Sequence, residues 1–194
     1  LPKFKGMKPY QRIPFQFSCH VQSKNGKIRH VSFLANGTDD QRTKFLSKLQ
    51  KTLRKRGTIL VYNQGFEKGV FRETTDAFPR FKEWYEKNIE PRIKDLWDVF
   101  RNFDYYDPRQ EGSASIKYVL PVMSELSYKD LEHVKKGDQA SYQWERVTFG
   151  SFVKKKEKQK IYKALEEYCK LDTLAEVEIV GKLWKELKGA GNNS

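Results

Sequence analysis

Two carboxylates in this sequence sit in surroundings that could give them chemical work. Asp172 closes the stretch Tyr168-Cys169-Lys170-Leu171-Asp172. Residues four apart share a helix face, so the Tyr168 phenol and the Asp172 carboxylate can address one point. Aspartate is a poor interior helix residue, and Leu171 and Leu174 bury part of this one. A buried carboxylate needs a cation, a metal or hydrogen-bond donors. Glu67 follows an apolar run, Thr58-Ile59-Leu60-Val61-Tyr62, and the polar turn Asn63-Gln64-Gly65. Groups just past a strand end are held rigidly and are well placed for a site. A plain structural reading stays open for both stretches. Asn63 suits a turn, Glu67 favours the N-terminal helix dipole, and Asp172 can be a surface group beside a half-buried tyrosine.

Two further stretches could bind anions. Gly112-Ser113-Ala114-Ser115-Ile116-Lys117 places small polar residues, a hydroxyl and an ammonium at a helix start, which suits a phosphate. Its glycine spacing is not that of a P-loop, and an ordinary helix cap reads equally well. Lys154-Lys155-Lys156-Glu157-Lys158-Gln159-Lys160 crowds cations near a helix N-terminus, the end that disfavours them. A phosphate backbone would relieve that repulsion, and so would plain solvent. His20, His30 and His133 are scattered and make no metal-ligand spacing. Cys19 and Cys169 are too few for a disulfide scaffold or a cysteine-rich zinc module.

The elements that must hold these groups follow from periodicity. Residues 1–14, rich in proline and basic residues, form an irregular arm. Phe15–Val21 and Ile28–Leu34 alternate as strands, joined by a tight turn with Asn25-Gly26 at its left-handed positions. Thr38 or Asp39 caps a helix from about Asp40, with Phe45, Leu46, Leu49 and Leu53 on one face. Thr58–Tyr62 reads as a strand buried on both faces, and a helix begins near Phe66. Residues 93–100 are a short strand followed by helix, or helix throughout. Residues 102–114 are loop, Ser115–Leu120 opens a short helix, and short helices fill 124–150. Glu157–Leu187 is one long helix or two, with Ile161, Leu165, Leu174, Val177, Val180, Leu183 and Trp184 on its apolar side. The expectation is a single α/β domain over residues 1–188, with a flexible tail at 189–194.

The 194 residues suffice for one core, and 13 Phe, 10 Tyr and 4 Trp argue against disorder despite 32% charged residues. No apolar run approaches a membrane span, and no signal pattern opens the chain, so a cytoplasmic location is expected. Lysine and arginine number 38 against 25 acidic residues, a net charge of +13 that points to polyanionic partners, nucleic acid first. A lysine-rich solvated surface is the bland alternative. The chain opens on Leu1 and reads as a fragment or a processed piece.

In this order, the pieces resemble the DEDD superfamily of 3′–5′ exonucleases, of the tyrosine-bearing type. Asn63, Phe66 and Glu67 are similar to its Asn-x-x-Phe-Asp segment, with Glu in place of Asp. Tyr168 and Asp172 are similar to its final Tyr-x-x-x-Asp, and Ser115-Ile116-Lys117 to its Ser-Leu-Lys helix start. Pro9–Gln16, Tyr62-Asn63 with Phe66-Glu67-Lys68, Ser115–Lys117 with Val119-Leu120-Pro121, and Tyr168–Thr173 resemble domain-of-unknown-function family 2779.

The resemblance implies a ribonuclease-H-like mixed sheet flanked by helices. It also implies hydrolysis of nucleic-acid phosphodiesters with two divalent ions, Mg²⁺ or Mn²⁺, about 4 Å apart. Asp172 and Glu67 would be ligands, Tyr168 would orient the attacking water, and Asn63, Phe66, Ser115, Lys117, Lys154, Lys155 and Lys156 would hold the substrate. That substrate is DNA or RNA, as a single-stranded 3′ end. The superfamily's Asp-x-Glu motif and its central strand are missing here. The strands at Phe15–Val21 and Thr58–Tyr62 should therefore face a gap unless another segment fills it, and the chain alone should be inactive. Two other readings follow: a non-catalytic nucleic-acid-binding or structural module of the same fold, and an interaction domain of a larger nuclease.

Overall fold

The computed structural model describes residues 2–129, 131, 134 and 137–191. His133 and the end of the tail, 192–194, lie outside the described residues. The basic arm runs without helix or strand into β1 (Gln16–Gln22), which pairs antiparallel with β2 (Ile28–Leu34). The turn between them is longer than a two-residue hairpin. Ser23 N–H donates to the Lys27 carbonyl at 2.9 Å, and Gly26 N–H to the Ser23 carbonyl at 2.9 Å. Gly26 alone takes the left-handed position (φ 81°). Asn25 instead uses its side-chain oxygen to accept from Lys27 N–H at 3.2 Å.

Helix α1 (Arg42–Thr52) begins later than a Thr38 or Asp39 cap would place it. Its N-cap is Gln41, which makes no side-chain cap bond. The Asp40 carboxylate does that work, accepting from Arg42 N–H at 3.1 Å and pairing with the Arg42 guanidinium at 2.7 Å. The expected apolar face holds: Phe45, Leu46 and Leu49 are buried against Phe17 of β1 and Phe81.

Strand β3 (Ile59–Val61) leads into helix α2 (Gln64–Ala77). Short turns, one of them α3 (Lys82–Trp84), bury Phe81, Tyr85 and Ile89 before the chain reaches β4 (Ile93–Asp95). Residues 93–100 are thus a strand and then a helix, α4 (Trp97–Arg101). β3 and β4 pair in parallel, with Val61 opposite Asp95. β3 is not buried on both faces: Leu60 is 41% exposed. Ile59 and Val61 turn to the face that packs on Tyr85, Ile89 and Ile93, and Leu60 alternates to the opposite face. β1–β2 and β3–β4 form two separate two-stranded sheets, so among the described residues β3 has a partner strand on one side only. A strand that pairs on one side leaves a row of N–H and C=O groups facing outward.

The rest is helical: α5 (Ile116–Met123), α6 (Gly137–Phe149) and the 37-residue α7 (Lys155–Gly191). α7 is one helix, and it carries Gly189–Gly191 of the expected tail. Its buried residues are Ile161, Leu165, Tyr168, Ala175 and Ile179, spaced at three, four and seven along one face. Trp184, expected on that face, is 59% exposed. The first three pack with Trp144 and Val147 of α6, and the last two with Phe100, Val119 and Leu120 of α4 and α5. Among the described residues no helix is long and apolar enough to cross a membrane. The architecture is mixed α/β with small sheets, and α7 is the spine that spans its two largest clusters.

Candidate active site

Asp172 occupies the stretch of α7 between those clusters, after Tyr168 and before Ala175. Tyr128, from the loop before α6, donates its hydroxyl to Asp172 Oδ1 at 2.8 Å. The Tyr168 hydroxyl donates to the same carboxylate. Burial pushes the Asp172 carboxyl up to about 6, against the pull of the two phenols and the Lys117 ammonium. The need for donors inferred from sequence is therefore met by two tyrosines, one of which the sequence did not single out.

Glu67 reaches the same place from the first turn of α2. Burial raises its pKa, the charge of Asp172 raises it further, and Arg12 offsets part of this. A third carboxylate, Glu176, lies one helical turn beyond Asp172. It is raised well above the ordinary range by burial and by the charges of Glu67, Asp172 and Asp95, while the backbone N–H of Tyr62 donates to it. Three half-buried carboxylates from α2 and α7 thus repel one another at the end of β3. An excess of buried negative charge is a site where a cation would be favoured.

The turn that aims Glu67 is built by Asp95. At the end of β4, Asp95 accepts from Asn63 N–H at 2.9 Å, Gln64 N–H at 2.8 Å and Trp97 N–H at 3.0 Å. That clamp fixes the strand-to-helix corner from the neighbouring strand. Asn63 sits in the left-handed region (φ 78°) as the N-cap of α2, its side chain accepting from Phe66 N–H at 3.4 Å. Phe66 is 54% exposed, with the Arg12 guanidinium 5.4 Å from its ring centre. Arg12 also pairs with Glu73, so the arm is pinned along α2. Gly69 permits the contact: a β-carbon there would lie 2.7 Å from the Arg12 side chain.

β1 closes another side. Ser18 and His20 both hydrogen-bond the Thr173 hydroxyl, at 2.7 and 2.9 Å, next to Asp172. His20 and His30 are not scattered but neighbours, their tilted rings 4.8 Å apart between centres across the hairpin. Burial lowers the basicity of both. Burial, with Glu176 and Glu67 next, pushes the Cys19 thiol up to about 12. Cys169 is shifted the same way by burial, Asp172 and Glu67.

Of the anion-binding candidates, Lys117 joins the site, its ammonium 6.0 Å from the Tyr128 ring centre and its charge felt by Asp172. Ser115 is the N-cap of α5 and makes no side-chain cap bond. Lys154, Lys155 and Lys156 are exposed at the far end of α7. Seventeen residues of helix separate Lys155 from Asp172, roughly 25 Å at 1.5 Å per residue.

Glu176, Tyr128, Asp95 and Arg12 are the residues that sequence reasoning missed. Only Glu176 carried a local signal, its spacing of four from Asp172. The donors have the hard oxygen character that Mg²⁺ and Mn²⁺ prefer. Among the described residues, however, no three His, Cys, Asp or Glu side chains gather closely enough to hold an ion. The donor chemistry suits such a metal; the ligand set among the described residues does not complete a site.

Searches of curated proteins and of solved structures give no match to the chain. The family model described as "Domain of unknown function (DUF2779)" matches residues 1–115. The match takes in the arm, both sheets and the Asn63–Glu67 corner; the Tyr168–Asp172 stretch lies beyond it. It covers more than half of the 194 residues, and on that ground the chain belongs to the DUF2779 family.

Proposed function

We propose that this domain carries part of the active site of a metal-dependent 3′–5′ exonuclease that acts on single-stranded DNA or RNA. The observation that carries the reading is the meeting of Glu67 and Asp172, from elements far apart in sequence, in one half-buried acidic cluster joined by Glu176. Burying repelling carboxylates costs stability, and a protein keeps such a group where function uses it. Asp172, held by two phenols, and Glu67, aimed by the Asp95 clamp, are the carboxylates we assign to catalysis. Tyr168 would position water beside Asp172. Lys117 supplies positive charge at the rim.

Two-metal hydrolysis needs more ligands than these. We place the remaining carboxylates on a segment outside this chain. The incomplete ligand set equally favours a second reading, a nucleic-acid-binding module of the same fold without chemistry.

The test compares this chain with the full-length protein on an end-labelled single strand with Mn²⁺. Cleavage by the full-length protein that vanishes in Asp172→Ala supports the nuclease. Binding without cleavage by either form selects the second reading. Robust cleavage by this chain alone overturns the carboxylate assignment.

A further inference from the structure

The loop between α4 and α5, residues 102–115, leaves a cleft of about 220 Å³ lined by Phe100, Arg101, Phe103, Tyr106, Gln110 and Ala114, among others. Its chemistry is unusual for a loop. Phe103 is 65% exposed and Tyr106 46% exposed, with ring centres 5.6 Å apart. Solvating aromatic faces forfeits their burial, and Phe103 also stands at φ 59°, a region that bulky residues rarely adopt. Phe100 and Gln110, each nearly fully buried, make a fixed floor. Arg101 stands at the lip, its guanidinium 5.0 Å from the Trp97 ring centre and paired with Asp98.

The cleft is joined to the acidic cluster through one residue. Tyr62 donates its hydroxyl to the Ala114 carbonyl at 2.5 Å and stacks on Phe100 with ring centres 6.3 Å apart. The backbone N–H of that same tyrosine donates to the Glu176 carboxylate. Tyr62 therefore connects two residues of the cleft wall, Ala114 and Phe100, to the acidic cluster.

The volume is below the roughly 300–1,000 Å³ of ordinary small-molecule pockets, so it admits one ring system rather than an extended ligand. Exposed aromatic faces with an arginine beside them stack nucleobases, which every sequence supplies and which only an unpaired strand presents. The net charge of +13 favours a ligand whose remaining parts are anionic.

We propose that the Phe103–Tyr106 cleft is a base-stacking subsite that holds one unpaired nucleobase of a single strand beside the acidic cluster. This deepens the nuclease reading and rests on it for the identity of the polymer. The ligand is a base within a strand, not a free nucleotide, because phosphate attraction from the wider basic surface supplies much of the affinity.

The test is fluorescence anisotropy with labelled twelve-residue single strands and EDTA present, so that no cleavage intervenes. Phe103→Gly is the informative variant. Glycine accepts a φ of 59° without strain, so its thermal midpoint should hold or rise while its affinity falls. Loss of one stacked base predicts a roughly five- to hundredfold weakening. The slope of affinity against salt should not change, because no phosphate contact is removed. Tyr106→Ala should act alike. A duplex, a strand made of abasic units throughout, and a mononucleotide should each bind weakly and be indifferent to both variants.

Unchanged single-strand affinity in Phe103→Gly overturns the proposal, as does equal weakening for the abasic strand, or binding of the mononucleotide as tight as that of the strand. The nuclease reading fails separately. If the full-length protein never cleaves yet binding depends on Phe103, the subsite stands without the nuclease. If cleavage depends on Asp172 while Phe103→Gly binds normally, the nuclease stands and the subsite falls.

Discussion

Asp172→Asn should stabilise this domain by an amount that grows as pH rises from about 4 to about 6. The carboxyl is raised from 3.8 to about 6 in the folded chain. The folded state therefore binds this proton more tightly than the unfolded chain does. Between those two values stability falls as pH rises, and above about 6 the full penalty of the buried charge is present. A shift of about two units at 1.36 kcal/mol each is roughly 3 kcal/mol. Because the group is half-buried and shares its repulsion with Glu67 and Glu176, about 2 kcal/mol is the expected gain from asparagine. The asparagine oxygen still accepts from Tyr128, so one of the two phenol bonds survives the exchange. For a domain of this size, about 2 kcal/mol moves the thermal midpoint by roughly 4–8 °C. The assay is thermal unfolding of both proteins in EDTA, at about pH 8 and about pH 4.5. His20 and His30, whose lowered basicity makes stability rise with pH instead, are common to both proteins and cancel in the difference. A gain at pH 8 that shrinks to well under half at pH 4.5 supports the placement of Asp172. A loss at pH 8, or a pH-independent difference, refutes it.

Other consequences are as direct. Cys19 and Cys169, with thiols pushed up by burial and by the neighbouring carboxylates, should alkylate with iodoacetamide at neutral pH many times more slowly than in the urea-unfolded chain; equal rates would mean that β1 does not pack on α7. Leu46→Ala removes a fully buried side chain from the α1 cluster and should cost about 2–5 kcal/mol in urea unfolding. Charge reversal of Lys154, Lys155 and Lys156 should weaken oligonucleotide binding in every sequence and reduce its salt slope; no change would remove that run from the interface.

What the sequence disclosed and what it hid divide along the range of the forces involved. β1, β2, α1 and the long α7 follow from apolar periods of two and 3.6, which are local, and the structure places all four within a few residues of where those periods put them. Asp172 was legible for a similar reason, since Tyr168 four residues earlier is its neighbour on any helix. The rest of the site is non-local. Tyr128 reaches Asp172 from a loop with no periodic signal, and Asp95 serves Asn63 and Gln64 only because β4 happens to lie beside β3. The misread exposure of Leu60 has the same origin, because the burial of a strand face depends on what packs over it, and the run Thr58–Tyr62 carries no record of that. His20 and His30 look unrelated until the register sets them opposite each other. The convergence of Glu67 on Asp172 was foreseeable only through the resemblance, not through any pattern in the residues between them. A site assembled across strand order and loop packing is encoded in the fold as a whole, and its local stretches show only the side chains available to it.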